Sequence, residues 1–330
     1  MLELGARHEP ISRLLAEQLA EVETRFGAEL VSDLSCVNDL ARHVERYRGK
    51  MLRPMLVLLS GLAARPDHPL GEDHQVVAAV VEMVHMATLV HDDVLDESSV
   101  RRQGETINHL RGNESAVMLG DYLISHAYNL CSSIDSPVPA RTVAQTTNTL
   151  CEGELLQLSN RNNWTLDEQT YFEIIRRKTA ALCGTSCRLG ALLSGADATE
   201  AEALNRYGEQ VGIAFQIIDD VLDLTGDQSV VGKSLGKDLE KGKLTLPLIH
   251  RLETAPPAEH QQLLALLRAE DEGRFEKIGC LLSGSDSVAH ARRRAAQFID
   301  RAKQTLENLD DSPARSMLMD MADAVVTREA

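Results

Sequence analysis

The chain has 330 residues, 43% hydrophobic and only 3% aromatic, enough apolar material for a substantial core and too much for a disordered chain. Its net charge is −16, with arginine spread widely and no broad basic stripe, which argues against a nucleic-acid partner. The longest apolar runs, such as Met55–Leu59 and Ala78–Val81, are far too short to span a bilayer.

The N-terminal stretch MLELGARHEPISRLL mixes acidic, basic and apolar residues at helical spacing. It lacks the basic start and apolar core of a signal peptide, so a cytoplasmic location is expected. From there apolar residues recur at three- and four-residue spacing almost everywhere, and alternating strand patterns are hard to find. The pattern predicts helices over 10–24, 26–47, 51–64, 73–97, 114–132, 139–159, 168–195 and 199–225, then 243–252, 257–269, 285–308 and 313–327. Breaks fall at Arg65-Pro66, Ser136–Pro139, Gly195, Gly226–Gly242 and Ala255–Pro257, where Gly or Pro interrupts the pattern. Connections are mostly short, as between antiparallel helix neighbours. The expectation is one all-α domain over residues 1–330, a large helical bundle. Helices rising about 1.5 Å per residue are long enough here to wall a deep central cavity. The six cysteines are scattered. Cys183 and Cys187, four apart, lack a second Cys/His pair at zinc spacing and read as small core residues in a reducing compartment.

Two aspartate clusters stand out. His91-Asp92-Asp93-Val94-Leu95-Asp96 closes the apolar helix 73–97, with Asp92 and Asp96 one turn apart on one face. In the second, Gln216, Asp219, Asp220 and Asp223 follow the 3-4-7 spacing of one stripe. Both lie near helix C-termini, where the macrodipole disfavours anions. Hard divalent cations would compensate, and Mg²⁺ commonly bridges carboxylates to substrate phosphates. One DDxxD alone is more often a solvated helix end. Here both copies sit in apolar helices and are followed by bases: Arg101-Arg102 after the first, and Lys233, Lys237, Lys241 and Lys243 after the second. Those four are half of the eight lysines in the chain, gathered in one Gly-rich window suited to a small anion.

The ordered set Gly49-Lys50-Met51-Leu52-Arg53-Pro54, Glu82-x-x-His85, HDDVLDESSVRR, Gly120-Asp121, Gly153-Glu154-x-x-Gln157, Lys178-Thr179, FQIIDDVLD and GKSLGKDLEKGKLTLP resembles the trans-polyprenyl diphosphate synthases. The likeness is greatest to the long-chain bacterial type and covers nearly the whole chain. It implies an isoprenoid synthase-like helical fold and an electrophilic reaction. An allylic diphosphate, farnesyl or geranylgeranyl, loses its diphosphate; the cation is attacked by the double bond of isopentenyl diphosphate, and a proton leaves. By resemblance, Asp92, Asp96 and Asp219 are the principal ligands of about three Mg²⁺ ions. Asp93, Asp220 and Asp223 act through water or shape the surroundings. Arg101, Lys178, Lys233 and Lys243 grip the allylic diphosphate, with Thr179 and Gln216 near the reacting carbon. Gly49, Lys50, Arg53, His85 and Arg102 form a metal-free pocket for isopentenyl diphosphate. His91 has no evident role. Residues 226–242 would act as a lid carrying Lys233.

In one place the chain departs from the family pattern, which usually reads RRG-x-P-T after the first cluster. Here Arg101-Arg102-Gln103-Gly104-Glu105-Thr106 moves the glycine and puts an acid for the proline, so the path of that loop is open. In the family, bulky residues four or five places before Asp92 block the product tunnel of short-chain enzymes. Ala87 and Thr88 stand there, which implies a long product, octaprenyl or nearby. A geranylgeranyl synthase is the rival enzyme reading, and a partner subunit of a heteromeric synthase the non-catalytic one. The family is typically homodimeric, and so apolar a product implies peripheral membrane contact at release.

Overall fold

The computed structural model describes residues 9–45, 49–102, 104–225, 236–269 and 273–328. It is all-α, as the periodicity predicts: α1 is Glu9–Glu29, α2 Ser35–Val44, α3 Leu52–Ala64, α4 Glu72–Leu95, α5 Ile107–Arg111, α6 Asn113–Cys131, α7 Pro137–Ser159 and α8 Glu168–Ile175. After a π-helical turn, Arg176–Ala180, come α9 Ala181–Leu193, α10 Ala198–Thr225, α11 Lys237–Glu240, α12 Leu246–Thr254, α13 Pro257–Arg268, α14 Arg274–Ser283, α15 Ser287–Thr305 and α16 Pro313–Val326. Among the described residues no helix is long and apolar enough to cross a membrane.

The chain packs as two compact units. The first comprises residues 1–148, 182–208 and 305–321. Its α3 and α4 are apolar nearly all round, the mark of helices surrounded by other helices. Leu56–Leu59 and Val76–Val81 are buried accordingly. Close approach is made possible by Gly190 of α9, where a Cβ would come within 2.0 Å of the Val57 carbonyl oxygen. The Tyr207 hydroxyl donates to the Leu318 carbonyl at 2.6 Å, so the one polar atom of this fully buried ring is satisfied.

The second unit comprises 149–181, 209–304 and 322–330. Its α15 buries Ala291, Ala295, Phe298, Ile299 and Ala302, a stripe at three- and four-residue spacing. Phe298 meets Phe172 of α8 edge-on at 5.3 Å, and the Arg294 guanidinium lies over Phe172.

Four local expectations change. The helix expected at 26–47 does not exist as one element: α1 runs through Gly27 to Glu29, and the chain turns before α2. Asn38 closes that turn, accepting from the Ser32 amide and donating to the Ser32 carbonyl. The element expected over 168–195 is interrupted by the π-turn. A hairpin of two-residue strands, β1 Val100–Arg101 and β2 Gly104–Glu105, forms where no strand was expected. Finally, α5, α11 and α14 lie where no helix was expected, although in α14 Phe275, Ile278 and Leu282 repeat at three and four and the last two are buried.

Candidate active site

In the first unit the aspartate cluster ends α4. Asp92 and Asp96 remain partly accessible, whereas Asp93 is 1% exposed. Asp93 is held by Arg101, whose Nε lies 2.9 and 3.0 Å from its two oxygens and whose Nη2 lies 2.7 Å from Oδ1. This pairing was not among the implied roles, which set Arg101 on diphosphate and Asp93 toward metal. It explains how a second carboxylate is buried beside Asp92: a bidentate guanidinium neutralises it.

The hairpin that carries Arg101 sets Val100 opposite Glu105 and Arg101 opposite Gly104; Gln103 lies outside the described residues. Its foot is tied by Thr106, whose hydroxyl donates to the Ser98 carbonyl at 2.6 Å, and by Asn108, whose amide donates to the carbonyls of Asp93 and Ser98. The Glu105 side chain is exposed, 3.6 Å from His109, and the Glu105 carbonyl accepts from His43. His91, without a role in the sequence, lies on Gly120: a Cβ there would come within 2.1 Å of its ring nitrogen, which donates to the Val117 carbonyl.

The five residues expected around isopentenyl diphosphate are all described in this unit. The Arg102 guanidinium rests on Gly49, where a Cβ would lie 2.4 Å from Nη2. Any side chain at position 49 would therefore displace Arg102. Arg102 and Met51 hold left-handed backbone conformations, φ 48 and 52°, strained for non-glycine residues and typical of ligand clamps. The Arg53 Nε is buried with no hydrogen-bond partner. Burial, followed by the charges of Arg53, Arg102 and Arg101, holds the His85 imidazole well below its ordinary range, so it is neutral. Burial also lowers Arg102, against the pull of Glu82, a carboxylate only 2% exposed and one turn from His85 on α4. Lys50 is exposed. Ala87 is fully buried, and Thr88 is half-buried with its hydroxyl donating to the His85 carbonyl.

In the second unit the other cluster lies on α10. Asp219 is exposed, with Arg328 3.4 Å from its Oδ1. Asp220 is 4% exposed, and both of its oxygens are occupied: Tyr171 donates to Oδ2 at 2.6 Å and Gln216 to Oδ1 at 2.8 Å. The Gln216 oxygen accepts from the Thr179 hydroxyl at 3.0 Å. Burial and the charge of Asp238 push Asp220 well above the ordinary carboxylate range, against those two donors. Burial, then Asp238, raises Asp223 to about 6, although the Asp238 amide donates to it at 3.2 Å. Thr179 and Lys178 sit in the π-turn, an irregularity that recurs at functional sites. Gly153 permits α7 to lie against that turn, since a Cβ would come within 2.5 Å of the Lys178 amide. Lys178 pairs with Glu154, and Lys243 stands 4.0 Å from Asp238. Lys233 lies outside the described residues, as does most of the expected lid.

Glu82, Glu154 and Asp238 stand inside the motifs without a role read from the sequence, and Tyr171 stands outside them. Their signals were faint: Tyr171 is seven residues before Lys178, hence on one face two turns away, and Asp238 follows Lys237 in the lysine window. Among the described residues no three His, Cys, Asp or Glu side chains converge as a ready-made metal cage. Hard oxygen donors presented singly or in pairs still fit Mg²⁺, which keeps waters and completes its octahedron with substrate phosphates.

The sequence and the fold are shared with known proteins. The polyprenyl synthetase family model matches residues 35–281. The chain is 35% identical over 323 residues to the octaprenyl diphosphate synthase of Escherichia coli, covering 97% of this chain and 99% of that one. A decaprenyl diphosphate synthase crystal structure from Rhodobacter capsulatus superposes with a TM-score of 0.91 at 34% identity, covering 98% and 99% of the two chains. A polyprenyl synthase from Caulobacter crescentus, solved with calcium and isoprenyl diphosphate, gives a TM-score of 0.89 at 33% identity over 96% and 97%. The chain belongs to the polyprenyl synthetase family and is an enzyme that transfers prenyl groups.

Proposed function

We propose that the protein condenses isopentenyl diphosphate with a farnesyl or geranylgeranyl diphosphate to give a long all-trans polyprenyl diphosphate, octaprenyl or close to it. The observation that carries this reading is the first unit's basic pocket. An orphan buried Arg53 Nε, Arg102 seated on Gly49, exposed Lys50 and neutral His85 make a cationic pocket that a diphosphate would complete. Neutral His85 donates one hydrogen bond there without adding a fourth charge.

Separating the anionic leaving group is the barrier, so electrostatic stabilisation dominates. Mg²⁺, when bound, neutralises the charge developing on the departing diphosphate. Within the first unit Asp92 and Asp96 would hold Mg²⁺; within the second, Asp219 would do so, with Asp223 acting through water. The buried pair of Asp93 with Arg101 would shape the ligands of the first unit, and Asp220 those of the second. Lys178, Lys233 and Lys243 grip the allylic diphosphate, Lys178 exchanging Glu154 for phosphate oxygens. The departing C–O bond takes its electron pair to the diphosphate, the isopentenyl double bond forms the new C–C bond, and the proton released returns to that diphosphate. Small residues at Ala87 and Thr88 support a long product. We further propose that the whole chain acts as one catalytic domain, as a cytoplasmic homodimer that meets membrane only on product release.

Incubation with isopentenyl diphosphate, Mg²⁺ and each of several allylic starters, followed by chromatography of the dephosphorylated products, tests activity and length together. Products of octaprenyl length are expected. No Mg²⁺-dependent incorporation would favour a partner-subunit role instead.

A further inference from the structure

Tyr171 has no role in the reaction as set out above, yet it starts a hydrogen-bond chain that ends at the reacting groups. Its ring is 3% exposed on α8, packed against Phe172 with centroids 5.5 Å apart. Its hydroxyl donates to Asp220 Oδ2 at 2.6 Å; Gln216 Nε2 donates to Asp220 Oδ1 at 2.8 Å; Thr179 Oγ1 donates to Gln216 Oε1 at 3.0 Å. Asp220 accepts at both oxygens, so Gln216 turns its NH₂ toward Asp220 and its oxygen toward Thr179. That oxygen takes the single hydroxyl proton of Thr179. What remains outward at Thr179 is a pair of oxygen lone pairs, a negative dipole end fixed before any substrate arrives. Such a fixed dipole favours a developing positive charge and discriminates against an incoming acceptor. The π-turn Arg176–Ala180 sets the register at which Thr179 meets Gln216.

We infer that Tyr171 is a positioning residue for prenyl transfer: by holding Asp220 it fixes the Gln216 amide and so the polarity of the Thr179 hydroxyl that faces the cationic carbon. This rests on the proposed reaction and on the places assigned there to Thr179 and Gln216. Low-dielectric surroundings make such a chain act as a unit, so its members should be coupled rather than additive.

The test is a double-mutant cycle in the full-length protein. Tyr171→Phe keeps the ring and removes the hydroxyl; kcat should fall roughly tenfold while KM for both diphosphates stays within about twofold. Thr179→Val removes the end of the chain, and adding Tyr171→Phe to it should cost less than about twofold more. Binding of inorganic pyrophosphate with Mg²⁺, followed by calorimetry, should be the same in wild type and Tyr171→Phe. Asp220→Asn, which can turn an NH₂ toward Gln216 and reverse the chain, should lose more than Tyr171→Phe. The paired change Asp220→Asn with Gln216→Glu restores the direction and should recover part of kcat. Undiminished kcat in Tyr171→Phe, fully additive losses in the cycle, or weakened pyrophosphate binding in Tyr171→Phe would each overturn the inference. Wild-type protein without turnover would instead sink the parent reaction, so the two failures are distinct.

Discussion

Asp93 and Asp220 are each the second aspartate of a DDVLD sequence, and each is buried, yet the molecule balances them by different means. Asp93 has a cation: Arg101 covers both oxygens. Asp220 has neutral donors, Tyr171 and Gln216, and a further carboxylate, Asp238, acts on it through its charge. The first solution closes its charge within the protein. The second relies on neutral donors, and burial, followed by the charge of Asp238, raises both Asp220 and Asp223. A motif that looks repeated is therefore two electrostatic designs, one closed by a cation and one by neutral donors.

The largest effect that would break this comparison is on catalysis. Asp92→Ala and Asp219→Ala each remove a proposed metal ligand worth several kcal/mol of transition-state stabilisation, on the order of 10²-fold or more in kcat. Comparable loss of Mg²⁺ affinity in Asp93→Asn, measured by calorimetry with pyrophosphate, would mean that Asp93 is a ligand and its pairing with Arg101 incidental.

Next in size is stability. Asp93→Asn leaves a largely buried guanidinium without its counter-charge and should cost about 3 kcal/mol in urea unfolding. Asp220→Asn meets only neutral partners and should cost about 1 kcal/mol. Equal costs would erase the distinction.

The proposed product tunnel concerns residues of the first unit alone. Thr88→Tyr should shorten the product with little loss of stability, because Thr88 is half-buried. Ala87→Tyr, at a fully buried position, should shorten it too but overpack by about 1–3 kcal/mol. Unchanged product length in both variants would remove this route for the chain.

The smallest effect is a pH dependence within the second unit. Glu173, unlike Asp220, is charge-paired there, and its hydrogen bond to Arg176 holds it at about 2, with Arg177 adding to the shift. A depressed carboxylate contributes stability that is present above its ordinary 4.5 and is lost as pH falls toward 2. Asp220 is raised, so its contribution has the opposite sign and is lost as pH rises. Unfolding of Glu173→Gln should thus converge with wild type on acidification. Parallel curves would show that the pairing does not persist in solution.

Much of this was legible before the fold. Three- and four-residue spacing places α3, α4, α6 and α10 within two residues of their ends, because a helix repeats locally and its buried stripe is written into consecutive turns. Gly49 and Gly153 stand in the motifs that carry the family resemblance, but only the packing shows that Arg102 and the π-turn approach them. The β1–β2 hairpin was not legible, since strands of two residues carry no periodicity.

What the sequence by itself determined is the helical class and the family; it also supplied the carboxylates and bases proposed to carry the chemistry. Tertiary structure alone decided which aspartate is paired with which partner. Tyr171 and Asp220 are 49 residues apart in the chain, and nothing local to DDVLD distinguishes its middle aspartate from the other copy. A carboxylate's charge state and direction are set by whatever the fold brings within hydrogen-bond reach. Near-identical motifs therefore diverge only once their neighbours arrive.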